Sequence, residues 1–429
     1  MSNKTHTKGV SKLNSIERKV LDIVNVDEMI KYLQEIISIP SVTGNEEKAQ
    51  ENIAQKLGSI GMKVDKWNID LAELSKHPDY SVELERSDAV GVVGILGENN
   101  GGKSLILNGH IDVVPSGDEN NWENPPWMGT VIEGKVMGRG SVDMKGGLTC
   151  AIYAVKAIHD AGIKLKGQVI IESVVSEEDG GIGALAATLR GYTADGGVIM
   201  EPTELKIVPA QAGALCFRIK IQGLSAHACV RDEGVSALEK FIPIHNALLE
   251  LEKKRNQRVT DPLYSRYSLP LSLNMGKVQC GNWPSTVPES LTLEGRYGIG
   301  VHEDIDDAKK EFIDTLNEVV ESDPWLKAHP PEMEWWGGQF KPARVDVSDP
   351  IVKTAKSSYT DILGDSPILE GVTYGSDMRH LVNVGNTPTI LFGPGDVRDC
   401  HRPNEAVLIE DLVTTVKALA LIILRFCEY

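Results

Sequence analysis

In the run SLILNGHIDVV, His110 and Asp112 stand two residues apart, and the period-two alternation of a strand puts both side chains on one face. Such a pair lets the carboxylate take the proton on one imidazole nitrogen while the other nitrogen binds a metal, with an accidental H-x-D as the alternative. Asp143 sits in the glycine-rich GRGSVDMKGG, just before a helix expected to start near Gly147, where an acidic residue would also favour the helix dipole. In VVSEEDGG, Glu177 and Glu178 end a buried apolar strand. Adjacent carboxylates leaving a core are costly unless a cation or solvent compensates them, and an exposed acidic turn is the other reading. Glu201 ends a second apolar strand in GGVIMEPT, and His401 follows the strand and glycine turn TPTILFGPG in CHRPNEAV.

Taken jointly, His110, Asp143, Glu178, Glu201 and His401 each fall at or just past the C-terminal end of an expected strand, where open α/β sheets gather their sites. Mixed imidazole and carboxylate ligands suit zinc, and one carboxylate shared by a pair suits a two-metal hydrolase. Without a cation these carboxylates would repel one another.

The elements that must position them alternate. Helical spacing in VDEMIKYLQEIISIP and TGNEEKAQENIAQKLGSIG, the latter with Thr43 and Glu46 at capping-box separation, precedes β-rich MKVDKWNI, AVGVVGIL and SLILNGHIDVV. A helix TCAIYAVKAIHDAG and strands KGQVIIESVVS and GGVIM follow, which predicts an α/β fold with a mostly parallel sheet flanked by helices. From about Ala212 the order becomes strand, helix, strand, strand, helix, strand, the ferredoxin-like split βαβ arrangement of an α+β unit. After about Lys341 the first texture returns, ending in a buried helix around KALALIILRF. A catalytic domain of residues 1–211 and 342–429, interrupted by an inserted domain of residues 212–341, is expected, with residues 1–15 as a frayed tail. Gly97, Gly102, Lys103 and Ser104 in GENNGGKS satisfy the P-loop pattern, but a strand-like run follows where that motif needs a helix, so a glycine-rich hairpin turn is expected.

With 61 acidic against 44 basic residues the formal charge is −17, which disfavours nucleic acid, since phosphate binding needs a basic footprint. No apolar run approaches the ~20 residues of a membrane span. The six dispersed cysteines include no CxxC pair, which suits free thiols and a cytoplasmic setting.

The runs NGHIDVVP, GKVMGRGSVDMKGG, SEEDGG, VIMEPT, GLSAHA and HRPNEA, in this order, resemble the dizinc amidohydrolase and metallopeptidase family that includes acetylornithine deacetylase, succinyl-diaminopimelate desuccinylase, aminoacylase and glutamate carboxypeptidase. The resemblance extends from about residue 28 to the C-terminus. It implies a zinc-peptidase-like catalytic domain and makes the inserted domain a lid that commonly forms the dimer contact. It also implies two Zn2+ per subunit, with Co2+ or Mn2+ as possible substitutes, held by His110, Glu178, Glu201, His401 and a bridging Asp143 followed by a cis peptide. Glu177 is then the general base on a water between the two ions, Asp112 orients His110, and His227 in GLSAHA donates to the oxyanion. Outside that resemblance, His227 reads as a polar residue at a strand-to-helix junction.

Arg296 in LEGRYGI and the Gly375-Ser376 pair in TYGSDMRH align with family positions that hold a substrate carboxylate, although a structural salt bridge would equally occupy Arg296. The chain departs from many relatives in carrying Ser285 in STVPE where an asparagine is usual. Within the family a Glu at the position of Glu201 leans toward deacylation. The expected function is metal-dependent hydrolysis of a small N-acyl amino acid or related amide, acetylornithine deacetylase-like. The alternatives are a dipeptidase or carboxypeptidase, a formylamino-heterocycle deformylase, or a catalytically silent binding protein of the same fold.

Overall fold

The computed structural model describes residues 13–429, which form two compact units. The first contains the chain up to Ala210, Arg344–Glu370 and Ser376–Tyr429; the second contains Gln211–Ala343 and Gly371–Gly375.

At the centre of the first unit lies a sheet in the order Lys63–Asn68, Val90–Leu96, Val169–Val174, Leu105–His110, Gly196–Ile199, Thr389–Leu391, Ile207–Gln211. Leu105–His110 runs parallel to both of its neighbours, and Thr389–Leu391 runs parallel to Gly196–Ile199. Every residue of Leu105–His110 and Val169–Val174 is buried, as expected of strands covered on both faces. The helices Lys145–Asp160 and Ile409–Cys427 supply much of that cover, with apolar residues buried along nearly their whole length. Polar residues also stay inside the sheet, and two of them meet there: Asn108 and Glu172 are paired in register, and Asn108 Nδ2 donates to Glu172 Oε2 at 2.9 Å.

The second unit has the strand order Leu273–Cys280, Ser290–Ile299, Gly213–Gln222, Glu332–Phe340, with every neighbour antiparallel. With helices Ala237–Asn256 and Ile305–Ser322 in their places along the chain, this is the expected ferredoxin-like arrangement. Phe217, Leu293, Tyr297 and Phe312 are at the heart of its core.

Three local expectations are corrected. Residues 1–12 of the expected tail lie outside the described residues, but Asn14 caps a helix, Ser15–Ile23. Its side chain accepts from Ile16 N and Glu17 N, while Glu17 answers Asn14 N in a reciprocal capping box. Thr43 and Glu46 form no such box: the helix Glu47–Ser59 has no side-chain cap, and the Thr43 hydroxyl is spent on Asp112 at 3.1 Å. The GENNGGKS segment does lead into a strand, but it is no hairpin, because Val169–Val174 lies between the strands it connects. Gly97 and Gly102 serve close backbone approach instead. A Cβ on Gly102 would stand 2.4 Å from both Gly167 N and Cys427 O, and Asn100 N donates to Lys166 O at 2.8 Å.

Candidate metal centre

His110 is the last residue of its strand, Glu177 and Glu178 follow Val174, and Glu201 follows Ile199, so parallel neighbours deliver these groups to one edge of the sheet. Asp143 arrives from the glycine-rich loop before helix Lys145–Asp160, and the Asp143–Met144 peptide bond is cis. His401 comes from the loop after Thr389–Leu391, with a left-handed φ of 60°.

The Asp143 carboxylate lies between the two histidines. Its Oδ1 is 3.0 Å from His110 Nε2 and its Oδ2 is 3.4 Å from His401 Nε2. His401 Nε2 is also 3.1 Å from Glu178 Oε2, and His110 Nε2 is 3.9 Å from Glu201 Oε1. Two sets of donor atoms, from His110, Glu177 and Glu201 and from His110, Asp143 and Glu178, each fall within 4.8 Å of one another.

Behind these groups, Asp112 is completely buried. Its Oδ1 and Oδ2 accept the backbone N–H groups of Glu177 and Glu178, each at 3.2 Å. His110 Nδ1 bonds to the Asp112 carbonyl at 2.9 Å, while the carboxylate stands 3.7 Å away, so the ring is oriented chiefly by the main chain of Asp112. Glu405 accepts the amides of Val142 and Asp143 and pairs with Arg139. From the sequence Thr43 reads only as a helix cap, and Arg139 and Glu405 carry no expected role. Glu405 shares the HRPNEA run with His401, and Arg139 shares the glycine-rich run with Asp143, a signal that could have found them.

The electrostatics are those of a buried cluster of carboxylates around two histidines. Burial, then the charge of Glu201, raises Glu177 well above the usual carboxylate range; burial, then Asp143, does the same to Glu201. Burial would depress His110, but the hydrogen bond to Asp143 and the charges of Glu201, Asp143 and Asp112 leave it well above the ordinary histidine value. Hydrogen bonds to Asp143 and Glu178 push His401 up to about 10. Among the described residues no Lys or Arg forms an ion pair with Glu177, Glu178 or Glu201. Two imidazoles and four carboxylates converge here, with the histidines as the nearest positive partners of the acids, and this mixed N/O donor set fits one or more divalent ions.

The remaining expected residues are held within their own units. His227, in the second unit, is exposed, and its Nδ1 accepts from Cys229 N at 3.2 Å. Arg296 donates to Ser272 Oγ at 3.1 Å and to the Thr373 carbonyl at 2.9 Å, both in that same unit. Gly375 is packed so tightly that a Cβ would stand 2.5 Å from Phe340 Cβ. Ser376, in the first unit, is buried, and its Oγ accepts from Met378 N at 3.2 Å.

A parallel-centred α/β sheet with a polar acidic site at its strand ends, joined to a ferredoxin-like unit, defines a metallohydrolase of the zinc-peptidase type. Residues 106–425 match Peptidase family M20/M25/M40, and the chain belongs to that family. It is similar to N-formyl-4-amino-5-aminomethyl-2-methylpyrimidine deformylase of Halalkalibacterium halodurans, at 29% identity covering 97% of this chain and 99% of that one. It is also similar to acetylornithine deacetylase of Aliivibrio fischeri, at 26% identity covering 93% and 99%. Among solved structures, the dipeptidase Dug1p of Saccharomyces cerevisiae shares the fold with a TM-score of 0.75 at 16% identity, covering 98% of this chain and 99% of that one. The chain is thus a metal-dependent hydrolase acting on amide bonds, which sets aside the silent binding protein.

Proposed function

We propose that the chain hydrolyses the amide bond of a small N-acyl amine, with Glu177 as general base. Two zinc ions would be held by His110, Glu178, Glu201 and His401 with Asp143 shared between them. The observation that carries this reading is the placement of Asp143, one oxygen toward His110 and the other toward His401. When bound, such ions polarise the acyl carbonyl and make a water acidic enough to attack at neutral pH. The chain's own residues do the rest. Glu177 takes the proton of the attacking water on its carboxylate and passes it to the leaving amine. Asp112 holds Glu177 in place through its backbone amide. The roles of His227 toward the oxyanion and of Arg296, Gly375 and Ser376 toward substrate rest on the motif resemblance.

For the substrate, a formylamino heterocycle takes first place, supported by the deformylase relative and its near-complete coverage. An N-acetylated amino acid such as acetylornithine stands second, supported by the 26% relative. The experiment is release of formate and amine from a panel of N-formyl, N-acetyl and N-succinyl substrates and dipeptides. It uses zinc-loaded protein against a chelated control, with cobalt and manganese as alternative metals. Zinc-dependent turnover confined to formamides supports the first reading, turnover of acetyl substrates the second, and silence across the panel in the loaded protein counts against both.

A homodimer through the second unit is part of this reading. Leu273–Cys280 is an edge strand whose outer residues are largely exposed, and Leu238, Ile242 and Leu249 form an exposed apolar stripe on helix Ala237–Asn256. Sedimentation equilibrium tests it, and a monomer at micromolar concentration would remove it. A cytoplasmic setting is supported by the dispersed cysteines, which form no disulfide among the described residues; no helix among them is long and apolar enough to cross a membrane.

A further inference from the structure

We propose that the buried Arg139–Glu405 pair is a positioning element for the metal centre, holding the loops of Asp143 and His401 in their binding arrangement. The inference rests on the metal-binding reading above. Glu405 is completely buried and lies four residues after His401. Its Oε1 accepts Val142 N–H at 2.8 Å and Asp143 N–H at 3.1 Å, and its Oε2 accepts Arg139 Nη1 at 2.6 Å. Arg139 Nη2 donates in turn to the Pro115 carbonyl at 3.3 Å, on the segment just past His110 and Asp112.

The main chain of Glu405 is anchored as well. Its carbonyl accepts from Gly138 N at 2.9 Å, and the strand Ala406–Leu408 that follows pairs with Lys135–Met137. The Arg139–Glu405 pair therefore ties together the segments carrying three ligand candidates without joining their donor sets. The His401 loop is also one that needs such an anchor. His401 holds left-handed backbone at φ of 60°, which a side chain with a Cβ adopts at some cost, and Asn404, at 61°, is of a type that enters this region more readily.

An ordinary structural ion pair would have the same burial, so the test must separate metal affinity from stability. Cobalt is titrated into the full-length apo protein against a competing chelator, read by the visible absorption of the bound ion. Wild type is compared with Glu405→Gln and with Glu17→Gln. The latter removes one of the two carboxylates that pair with Arg425 on the terminal helix, Glu17 at 2.7 Å beside Asp361 at 2.8 Å, and so perturbs a half-buried ion pair without touching either loop. A positioning role predicts that Glu405→Gln weakens cobalt binding by about 10- to 100-fold and alters the absorption band. Glu17→Gln should bind as wild type does at a lower melting temperature.

Cobalt bound by Glu405→Gln as tightly as by Glu17→Gln, with an unchanged band, overturns the inference. Should Glu405→Gln fail to fold, Arg139→Lys keeps the buried charge but not the guanidinium fork, and affinity equal to wild type would overturn the inference in the same way. A wild-type chain that takes up no cobalt overturns the metal-binding reading and this inference with it, whereas undiminished uptake by the variants overturns this inference alone.

Discussion

The Asp112 carboxylate accepts the backbone N–H of Glu177 at 3.2 Å, so the residue noticed for its spacing from His110 holds the proposed general base as well. Its second oxygen takes Glu178 N–H at 3.2 Å and the Thr43 hydroxyl at 3.1 Å. A carboxylate with three donors arranged around it cannot be replaced by an amide without turning one N–H group against another. Asp112→Asn should therefore lower kcat by about 10- to 100-fold and reduce metal occupancy. Turnover together with metal content by plasma mass spectrometry checks this, and full kcat in the variant would count against the orienting role.

Glu177→Gln removes the proposed proton acceptor while leaving the ligands in place. Turnover should fall by about 10²- to 10⁴-fold with metal content unchanged. A parallel loss of metal would move Glu177 into the ligand set.

Thr43→Val withdraws one hydroxyl from a buried carboxylate. Hydrogen bonds to charged groups contribute roughly 1.5–3 kcal/mol, and the loss should show as a lower urea midpoint at unchanged slope. Its kcat should fall less than that of Asp112→Asn, because the two amide contacts remain. A midpoint equal to wild type would show that the hydroxyl contributes nothing.

Removing metal should destabilise the fold, since a ligand bound only by the native state at about 1,000 times its Kd contributes about 4 kcal/mol. Chelation is expected to lower Tm, and zinc to restore it. Tight zinc uptake with no change in Tm would argue that the ions bind elsewhere.

Burial pushes Glu172 up to about 8 from an ordinary value of 4.5. Between those values the native protein holds a proton that the unfolded chain has released, so this group's contribution to stability falls as pH rises from about 4.5 to about 8. Glu172→Gln should flatten that part of the Tm–pH profile. An unchanged slope would show that another group sets it.

Much of the site was legible from local pattern. Buried apolar runs ending in His110, Glu177–Glu178 and Glu201 announce strands whose C-terminal ends gather polar groups, and the strand–helix order after Ala212 announces the ferredoxin-like unit. Both follow from side-chain periodicity and turn residues within a few positions along the chain. The partners of those groups were not legible. Thr43 looked like a helix cap and belongs to Asp112, 69 residues away; Glu405 serves Asp143 across 262 residues. The insertion of Val169–Val174 between Val90–Leu96 and Leu105–His110 likewise turned an expected hairpin into a connection between strands that are not neighbours. By itself the sequence determined which residues are available for the chemistry and which elements carry them, because burial and periodicity are local properties. Only the tertiary structure decided which buried donor meets which acceptor, because those pairings form between segments that come together only when the sheet is assembled and water is excluded.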